Sequence, residues 1–382
     1  MMEGEKAGRT DFQYQGIAYS TDNGRNWTKY DKNPVIPNTE NIKDFRDTKV
    51  FWNEKLKSWS VVFAVGNHVR FYSSPNLKDW TLTGEFGKTD GSHGGVWECP
   101  DLFPLTVEGS GETKWVLLVS LNPGGPQGGS ATQYFIGDFN GTSFVPDADF
   151  LAPQWLDWGR DNYAGVTFSD APDGRRVLIG WMSNWDYAQK VPTSPWRSAM
   201  TLPRDLSLHR TGEELRLHSR AAAEVDAIMG SASVTRIEAL SGEEVLSLDP
   251  LAPQQGEIVL SFDKPAAGSV KLTLSNVAGE TYALAYDAAT NEFVSDRTRS
   301  GPNDFAPTFA RAHRAPRSSR NARVRMRVIL DRASAELFAD DGATVMTETL
   351  FSVGVRSPSP RYRATARDGH RVASARAERV WP

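Results

Sequence analysis

The chain has 382 residues, of which 39% are apolar and 10% aromatic, enough to bury sizeable cores in two domains. Its formal net charge of −4 argues against an extended anionic partner such as DNA, because phosphate binding needs a clustered excess of Lys and Arg, and it favours a neutral substrate. The single cysteine, Cys99, excludes an intramolecular disulfide framework.

In the first half of the chain, short runs rich in Val, Phe, Tyr and Trp alternate with turns rich in Gly, Pro, Asn and Asp. This pattern predicts an all-β fold with strands at residues 59–65, 69–72, 115–121, 133–136 and 176–181. A polar turn closed by tryptophan at residues 20–27 recurs loosely at 73–80, which suggests propeller blades. We therefore predict a β-propeller domain over residues 1–205.

The second half shows stricter alternation of apolar residues, as in Ile258, Leu260 and Phe262. Strict alternation with few aromatic residues predicts a β-sandwich, which we place at residues 225–350. Residues 206–224 are predicted to be a linker, in which residues 221–223 form either a short helix or a loop.

The end of the chain is rich in arginine. Residues 351–382 hold seven arginines without clear apolar alternation, which predicts a solvated or disordered tail, and residues 311–323 read as a basic loop. Tyr362 is the one Phe, Tyr or Trp residue interleaved among the arginines from 356 to 379, so nucleic-acid binding is not favoured. No apolar run approaches the roughly 18 residues that cross a bilayer, so we expect no membrane partner.

The run Trp-Glu-Cys-Pro-Asp at residues 97–101 fixes one carboxylate, Glu98, between an indole, a thiol and a proline. Partly apolar surroundings disfavour the charged form of a carboxylate and suit a general acid. A strand-end glutamate without a function is the simpler interpretation. The Arg46-Asp47 pair upstream and the Trp-rich segments downstream favour a functional site, and we predict that Glu98 transfers the proton.

Three segments resemble glycoside hydrolase family 32, the family of invertases, inulinases and levanases. They are the Trp-Glu-Cys-Pro-Asp-Leu-Phe run at 97–103, the Phe-Arg-Asp segment at 45–47 and the Trp-rich stretch from 180 to 197. The resemblance runs from about residue 15 to about residue 350 and is closer to fungal exo-inulinases and levanases than to plant invertases. It implies a five-bladed β-propeller followed by a β-sandwich. It also implies retaining hydrolysis of terminal β-D-fructofuranosyl bonds in inulin, levan or sucrose.

The resemblance implies a role for each residue of the site. Glu98 matches the acid/base of the family, and Asp47 matches the transition-state stabiliser that binds fructosyl hydroxyls. The residues expected to bind substrate are Arg46, Trp185, Cys99 and Asp161. A surface ion pair is the alternative for Arg46 and Asp47, and Thr48 stands where the family has proline, which can change the end of that strand.

The nucleophile of the family has no counterpart in this sequence. Retaining glycosidases place a nucleophile and an acid/base carboxyl about 5 Å apart. The nucleophile of family 32 lies in a Trp-Met-Asn-Asp-Pro-Asn-Gly type motif of the first blade, and no such motif occurs among the 382 residues. We therefore expect a propeller without its first blade, marginal folding and impaired or absent activity.

A second hypothesis is a non-catalytic fructan-binding protein that keeps Trp185 and the sandwich. The arabinan-cleaving five-bladed propellers share the architecture but not the Glu-Cys-Pro-Asp run, so this enzyme class is less favoured.

No cofactor and no metal are expected, because the six histidines lack His-x-x-x-His spacing and read as surface or turn residues. The expected partner is a fructose-containing saccharide. Family members are usually secreted, yet residues 1–10 are charged and lack the apolar segment of a signal peptide. Two Asn-x-Thr sequons, at 26–28 and 140–142, are compatible with secretion.

Overall fold

The computed structural model describes residues 13–147, 153–235, 240–246, 255–276, 278–352, 361–370 and 374–380. The predicted all-β class is confirmed. The chain folds into two compact units. The first comprises residues 1–106, 110–124 and 132–154, and the second comprises residues 107–109, 125–131 and 155–382. The first of these units therefore ends near residue 155, and the propeller boundary at residue 205 stays a prediction.

The first unit contains antiparallel sheets whose strands follow each other in chain order, an arrangement typical of propeller blades. Strands β1 (Ala18–Tyr19) and β2 (Thr28–Lys29) form a two-stranded sheet. The next sheet has the order β3 (Phe45–Asn53), β4 (Ser58–Val65), β5 (His68–Ser74) and β6 (Thr81–Phe86). A third sheet contains β7 (Val96–Thr106), β8 (Thr113–Asn122), β9 (Ala131–Phe139) and β10 (Phe144–Pro146), with β11 (Gln154–Trp155) also paired to β9.

Burial explains why the central strands of this unit could be predicted. Strands β4 and β8 are buried over six consecutive residues each, so both of their faces are apolar and their sequences read as almost continuous Val, Leu and Phe. The predicted strands at 59–65 and 115–121 lie within β4 and β8.

The second unit begins with another blade-like sheet. Its strands are β12 (Tyr163–Thr167), β13 (Val177–Met182), β14 (Ala199–Met200), β15 (Arg204–Thr211) and β16 (Glu214–Ala221), with a 3₁₀ turn at Pro172–Gly174. Strands β15 and β16 form a hairpin across most of the segment predicted as a linker. The alternating buried residues of the two strands pack one face of this hairpin inward, so the segment is part of a sheet. Helix α1 (Ala223–Ile228) follows.

The predicted sandwich is present as two six-stranded sheets in the second unit. One has the order β17 (Met229–Thr235), β28 (Ser374–Val380), β19 (Gly256–Asp263), β24 (Arg323–Asp331), β25 (Ser334–Ala339), β26 (Thr344–Thr349). The other has the order β18 (Leu240–Leu246), β27 (Arg361–His370), β20 (Ser269–Ser275), β21 (Thr281–Asp287), β22 (Glu292–Arg299), β23 (Ala312–Pro316). Alternate residues such as Ile258, Leu272 and Val328 form the shared apolar core.

The prediction of a solvated or disordered tail is wrong for residues 361–370 and 374–380. Strand β27 pairs with β18 and β20, and β28 pairs with β17 and β19. The ladder bonds of a sheet join main-chain groups, so these strands form without a clear apolar alternation. Strand β23 likewise begins inside the predicted basic loop at 311–323. Arg356 and Arg371 of the tail, and residues 1–10, lie outside the described residues.

Candidate active site

Two matching β-bulges shape the candidate site in the first unit. In β3 the pairing register shifts between Arg46 and Lys49, and in β7 it shifts between Glu98 and Asp101. Within the bulges Asp47 has a φ of 65° and Cys99 a φ of 48°, a left-handed conformation that is uncommon for residues other than glycine. Bulges of this kind re-aim side chains and are frequent beside active sites. The bulge at Asp47 forms although Thr48 replaces the proline of the family.

Three contacts join the two bulged strands at a constant spacing. Arg46 contacts Glu98, Asp47 contacts Cys99, and Lys49 contacts Asp101, and each pair is separated by 52 residues. The constant offset means that β3 and β7 lie side by side with matched bulges. The structure therefore brings together four of the predicted site residues: Arg46, Asp47, Glu98 and Cys99.

Arg46 lies at the centre of this cluster. Its Nη2 donates to Glu98 Oε1 at 2.9 Å, and its Nη1 donates to Asp44 Oδ1. Its Nε lies 3.9 Å from Asp47 Oδ2. Burial alone would lower the pKa of Arg46, but the hydrogen bonds to Asp44 and Glu98 outweigh burial and raise this pKa. The guanidinium is thus a permanent cation shared among three carboxylates.

Asp47 is fixed by the backbone of β7. Cys99 N donates to Asp47 Oδ2 at 3.0 Å, and the Cys99 sulfur lies 3.8 Å from the same oxygen. Burial and, after it, the charges of Asp47 and Glu98 raise the pKa of the Cys99 thiol to about 12. Cys99 therefore stays a neutral thiol, and its contact is with Asp47 rather than with Glu98.

The surroundings of Glu98 are more polar than the sequence suggested. Successive residues of a strand point to opposite faces. Trp97 is fully buried, stacks on His93 and donates its indole N–H to Ser92 O at 2.9 Å. The Glu98 side chain is 23% exposed and bound to Arg46. The neighbouring indole thus supports the fold on one face while Glu98 faces the cation on the other.

Sequence reasoning missed two of the supporting residues. Asp44 accepts from Arg46 Nη1, whereas Glu98 accepts from Nη2, and Asp101, fully buried, pairs with Lys49 at 3.2 Å. For Asp44, the sequence signal was the Asp-Phe-Arg-Asp segment at residues 44–47, in which an aspartate stands on each side of Arg46.

Trp185 lies in the second unit with its indole exposed. Its side chain is 47% exposed and its ring lies 5.0 Å from that of Trp181. The backbone N–H of Trp185 donates to Ser130 Oγ at 3.2 Å, which fixes the loop. An exposed indole on a fixed loop can stack on the apolar face of a sugar ring.

Asp161 does not lie in a position to bind substrate. It is fully buried in the second unit, where Oδ1 accepts from Tyr187 Oη at 2.6 Å and Oδ2 accepts from Arg297 Nη1 at 2.6 Å and from Thr349 N at 2.8 Å. Burial alone would raise the pKa of Asp161, but Arg297 and these hydrogen bonds hold it below its usual range. Both oxygens are committed to the protein, so we correct the expectation and assign Asp161 to the core.

The histidines also differ from expectation. His313 is buried in β23 with Nδ1 2.7 Å from Glu348 Oε1, and His68 lies in β5, so neither is a surface or turn residue. Among the described residues, no group of three or more His, Cys, Asp or Glu side chains could hold a metal ion. No helix in the described part of the chain is long and apolar enough to span a membrane.

Family models match nearly the whole sequence. The model of the "Glycosyl hydrolases family 32 N-terminal domain" matches residues 2–219, and the model of the "Glycosyl hydrolases family 32 C terminal" matches residues 224–378.

Two curated relatives carry names from fructan degradation. A levanase of Bacillus subtilis is 44% identical over 352 residues, which cover 90% of this chain and 51% of the levanase. The extracellular exo-inulinase inuE of Aspergillus niger is 38% identical over 360 residues, which cover 89% of this chain and 67% of that protein. The chain thus spans about half the length of the levanase and about two thirds of the exo-inulinase.

Two solved structures share the fold. The exo-inulinase of Aspergillus awamori superposes with a TM-score of 0.89 and 34% identity, covering 97% of this chain and 75% of the other. A β-fructofuranosidase of Schwanniomyces occidentalis complexed with fructosyl-erythritol superposes with a TM-score of 0.85 and 28% identity, covering 97% and 76%.

Proposed function

This chain belongs to glycoside hydrolase family 32, and from that membership we propose that it carries part of the active site of a retaining β-fructofuranosidase. The bonds cleaved are terminal β-D-fructofuranosyl bonds in inulin, levan or sucrose, in line with the names of its relatives. The observation that carries the proposal is the pair of matched bulges, which holds Glu98 on Arg46 and Asp47 on the Cys99 backbone.

We assign Glu98 as the acid/base. In the first step its proton passes to the glycosidic oxygen as the bond to the fructosyl C2 breaks, and in the second step it accepts a proton from the attacking water. Arg46 fixes the carboxylate of Glu98 through a charge-assisted hydrogen bond, so the proton is delivered from a defined position.

Asp47 takes the role of transition-state stabiliser. Cys99 N occupies one of its oxygens, which orients the carboxylate while the other oxygen can accept from fructosyl hydroxyls. Such contacts accelerate the reaction only if they strengthen as the ring becomes oxocarbenium-like. Trp185 adds a stacking surface for a sugar ring, and Cys99 acts by positioning Asp47 rather than by chemistry.

We further propose that the family's five-bladed propeller is incomplete in these 382 residues and that their activity is impaired. The first step also needs a nucleophile at C2, and the family's Asn-Asp-Pro-Asn motif does not occur in the sequence. Relatives named extracellular exo-inulinases favour a secreted enzyme. We propose no nucleic-acid or membrane partner.

Fructose release from inulin, levan and sucrose tests the proposal. We expect little or no release by this chain, and release by a chain extended at its N-terminus with the family's Asn-Asp-Pro-Asn segment. Release by this chain that survives Glu98→Gln would contradict the assigned roles, since another carboxylate would then do the chemistry.

A non-catalytic fructan-binding protein is the second candidate. The absent motif and the 47% exposed indole of Trp185 favour it. Binding of fructan by an extended chain that releases no fructose would favour binding over hydrolysis.

A further inference from the structure

A cavity of about 360 Å³ lies within the second unit, apart from the residues assigned above. The loop between β13 and β14 and the turn between β24 and β25 supply most of its lining. Cavities of about 300 Å³ and more are of the size that holds small ligands. This one is at the small end of that range, which suits one or two sugar rings.

One wall of the cavity presents an exposed indole. Trp196 is 50% exposed although it sits in a tightly bonded loop. Thr193 Oγ1 donates to Trp196 O at 2.6 Å, and Arg197 Nη1 donates to Val191 O at 2.7 Å. The loop therefore holds the tryptophan in place before any ligand arrives, which lowers the entropy lost on binding.

Part of the cavity lining is apolar. Met182 and Val191 are nearly fully buried there, and Phe351 lines it beside them. Val191 belongs to a buried cluster with Tyr187 and Phe309, against which Phe351 packs. This rigid apolar base favours the C–H face of a ligand.

Polar residues also line the cavity, and they include one charge of each sign, Asp331 and Arg332. Asp331 Oδ1 accepts from Gln255 Nε2 at 2.8 Å and from Arg332 N at 2.7 Å. Within the described part of the chain, Asp331 Oδ2 accepts no hydrogen bond and the Arg332 guanidinium donates none. These polar residues thus offer a carboxylate acceptor, the several donors of a guanidinium and nearby hydroxyls. Their net charge is zero, which favours a neutral ligand.

We infer that this cavity, which we call the Trp196 cleft, is a non-catalytic binding site for a neutral saccharide. An exposed indole and several hydrogen-bonding groups that line the same cavity match the two kinds of surface on a sugar ring, the apolar C–H face and the hydroxyl rim. Asp331 is the only carboxylate among the described lining residues, and retaining and inverting hydrolysis both use two, so the cleft binds without cleaving. The identification of the saccharide as a fructan oligosaccharide rests on the proposed function.

The test measures binding rather than catalysis. In a Glu98→Gln, Trp185→Ala background, which removes the acid/base and the tryptophan that we assign to sugar stacking at the active site, an inulin-type oligosaccharide is titrated into the chain by calorimetry. We expect saturable binding that Trp196→Ala weakens at least tenfold and Asp331→Asn weakens severalfold. The near-isosteric Asp331→Asn keeps the test decisive if Trp196→Ala perturbs the loop, and circular dichroism checks the fold of both.

Trp27→Ala is the matched control, because Trp27 lies in the first unit and is 65% exposed. We expect this substitution to change the affinity of the background protein by less than twofold. Equal affinity in the background protein and in both cleft variants would overturn the inference, as would the absence of binding in the background. Equal affinity for a maltooligosaccharide would overturn the fructan assignment. Failure of the proposed function would show separately, as no fructose release by the extended chain.

Discussion

Asp47 and Cys99 show how single residues fix the candidate site. Each adopts a positive φ within a bulge, and each contacts the other across the two strands. A strained conformation persists only when the surrounding structure over-determines it. Here the Asp47 carboxylate accepts the Cys99 N–H and thereby stabilises the bulge from which that N–H projects. The two bulges therefore support each other, and the positions of both side chains are coupled.

Cys99 should be a poorly reactive thiol. Its pKa is raised to about 12, so at pH 8 only a trace is thiolate, and thiolate is the species that alkylates. Allowing for the greater nucleophilicity of a more basic thiolate, we expect iodoacetamide to label the native chain roughly fiftyfold more slowly than the urea-unfolded chain.

Mass spectrometry gives both rates without ambiguity, because the chain has one cysteine. The two pKa values also determine how the labelling rate depends on pH. The rate for the native chain should keep rising with pH through pH 11, whereas the rate for the unfolded chain levels off above its thiol pKa of about 8.5. Equal rates at pH 8 would contradict the buried, neutral thiol.

At the scale of elements, a buried ion cluster ties together parts of the second unit that are distant in sequence. Arg297 of β22 bonds to Asp161 before β12, to Tyr187 in the loop after β13 and to the backbone of Thr349 in β26. Arg297 and Asp161 are fully buried. Such a cluster fixes the geometry of its elements. Removing Asp161 would leave Glu348, 3.0 Å from Arg297, as the remaining carboxylate beside this buried cation, and it would leave the buried donors Tyr187 Oη and Thr349 N without their acceptor.

Asp161→Ala should therefore destabilise the chain by about 3–5 kcal/mol. Asp304→Ala, at an exposed aspartate of the same unit, should change the free energy of unfolding by less than about 0.5 kcal/mol. Urea unfolding followed by circular dichroism measures both. A small loss of stability together with weaker saccharide binding in Asp161→Ala would restore the substrate-binding role that we have withdrawn.

For the whole molecule, the sequence predicted the all-β class, the sandwich and many strands, because apolar periodicity reports burial directly. Residues such as Leu260, Leu284 and Val328 alternate in the sequence and lie in one core. The β27 and β28 strands were missed because their arginine-rich sequences carry no such alternation, and their place comes from backbone pairing with distant strands.

The candidate site was predictable to a similar extent. Glu98, Arg46, Asp47 and Cys99 come together as one cluster, and a local motif around each gave the signal. Asp161 was wrongly expected to bind substrate, because its partners Arg297 and Thr349 lie more than a hundred residues away in the sequence and no local pattern indicates them. The bulges themselves were also not predicted, since no glycine marks the positive φ values.

The acid/base role of Glu98 predicts that the effect of replacing this residue depends on the leaving group of the substrate. In the extended chain that carries the family's nucleophile segment, kcat/KM is measured for inulin and for β-fructosyl fluoride, whose leaving group needs little protonation. We expect Glu98→Gln to lower kcat/KM for inulin by about 10²–10⁴ and for the fluoride by far less. Glu54→Gln, at a surface carboxylate paired with Lys57, is the control and should change neither. An equal loss of kcat/KM on both substrates, or no loss on inulin, would contradict the acid/base role of Glu98.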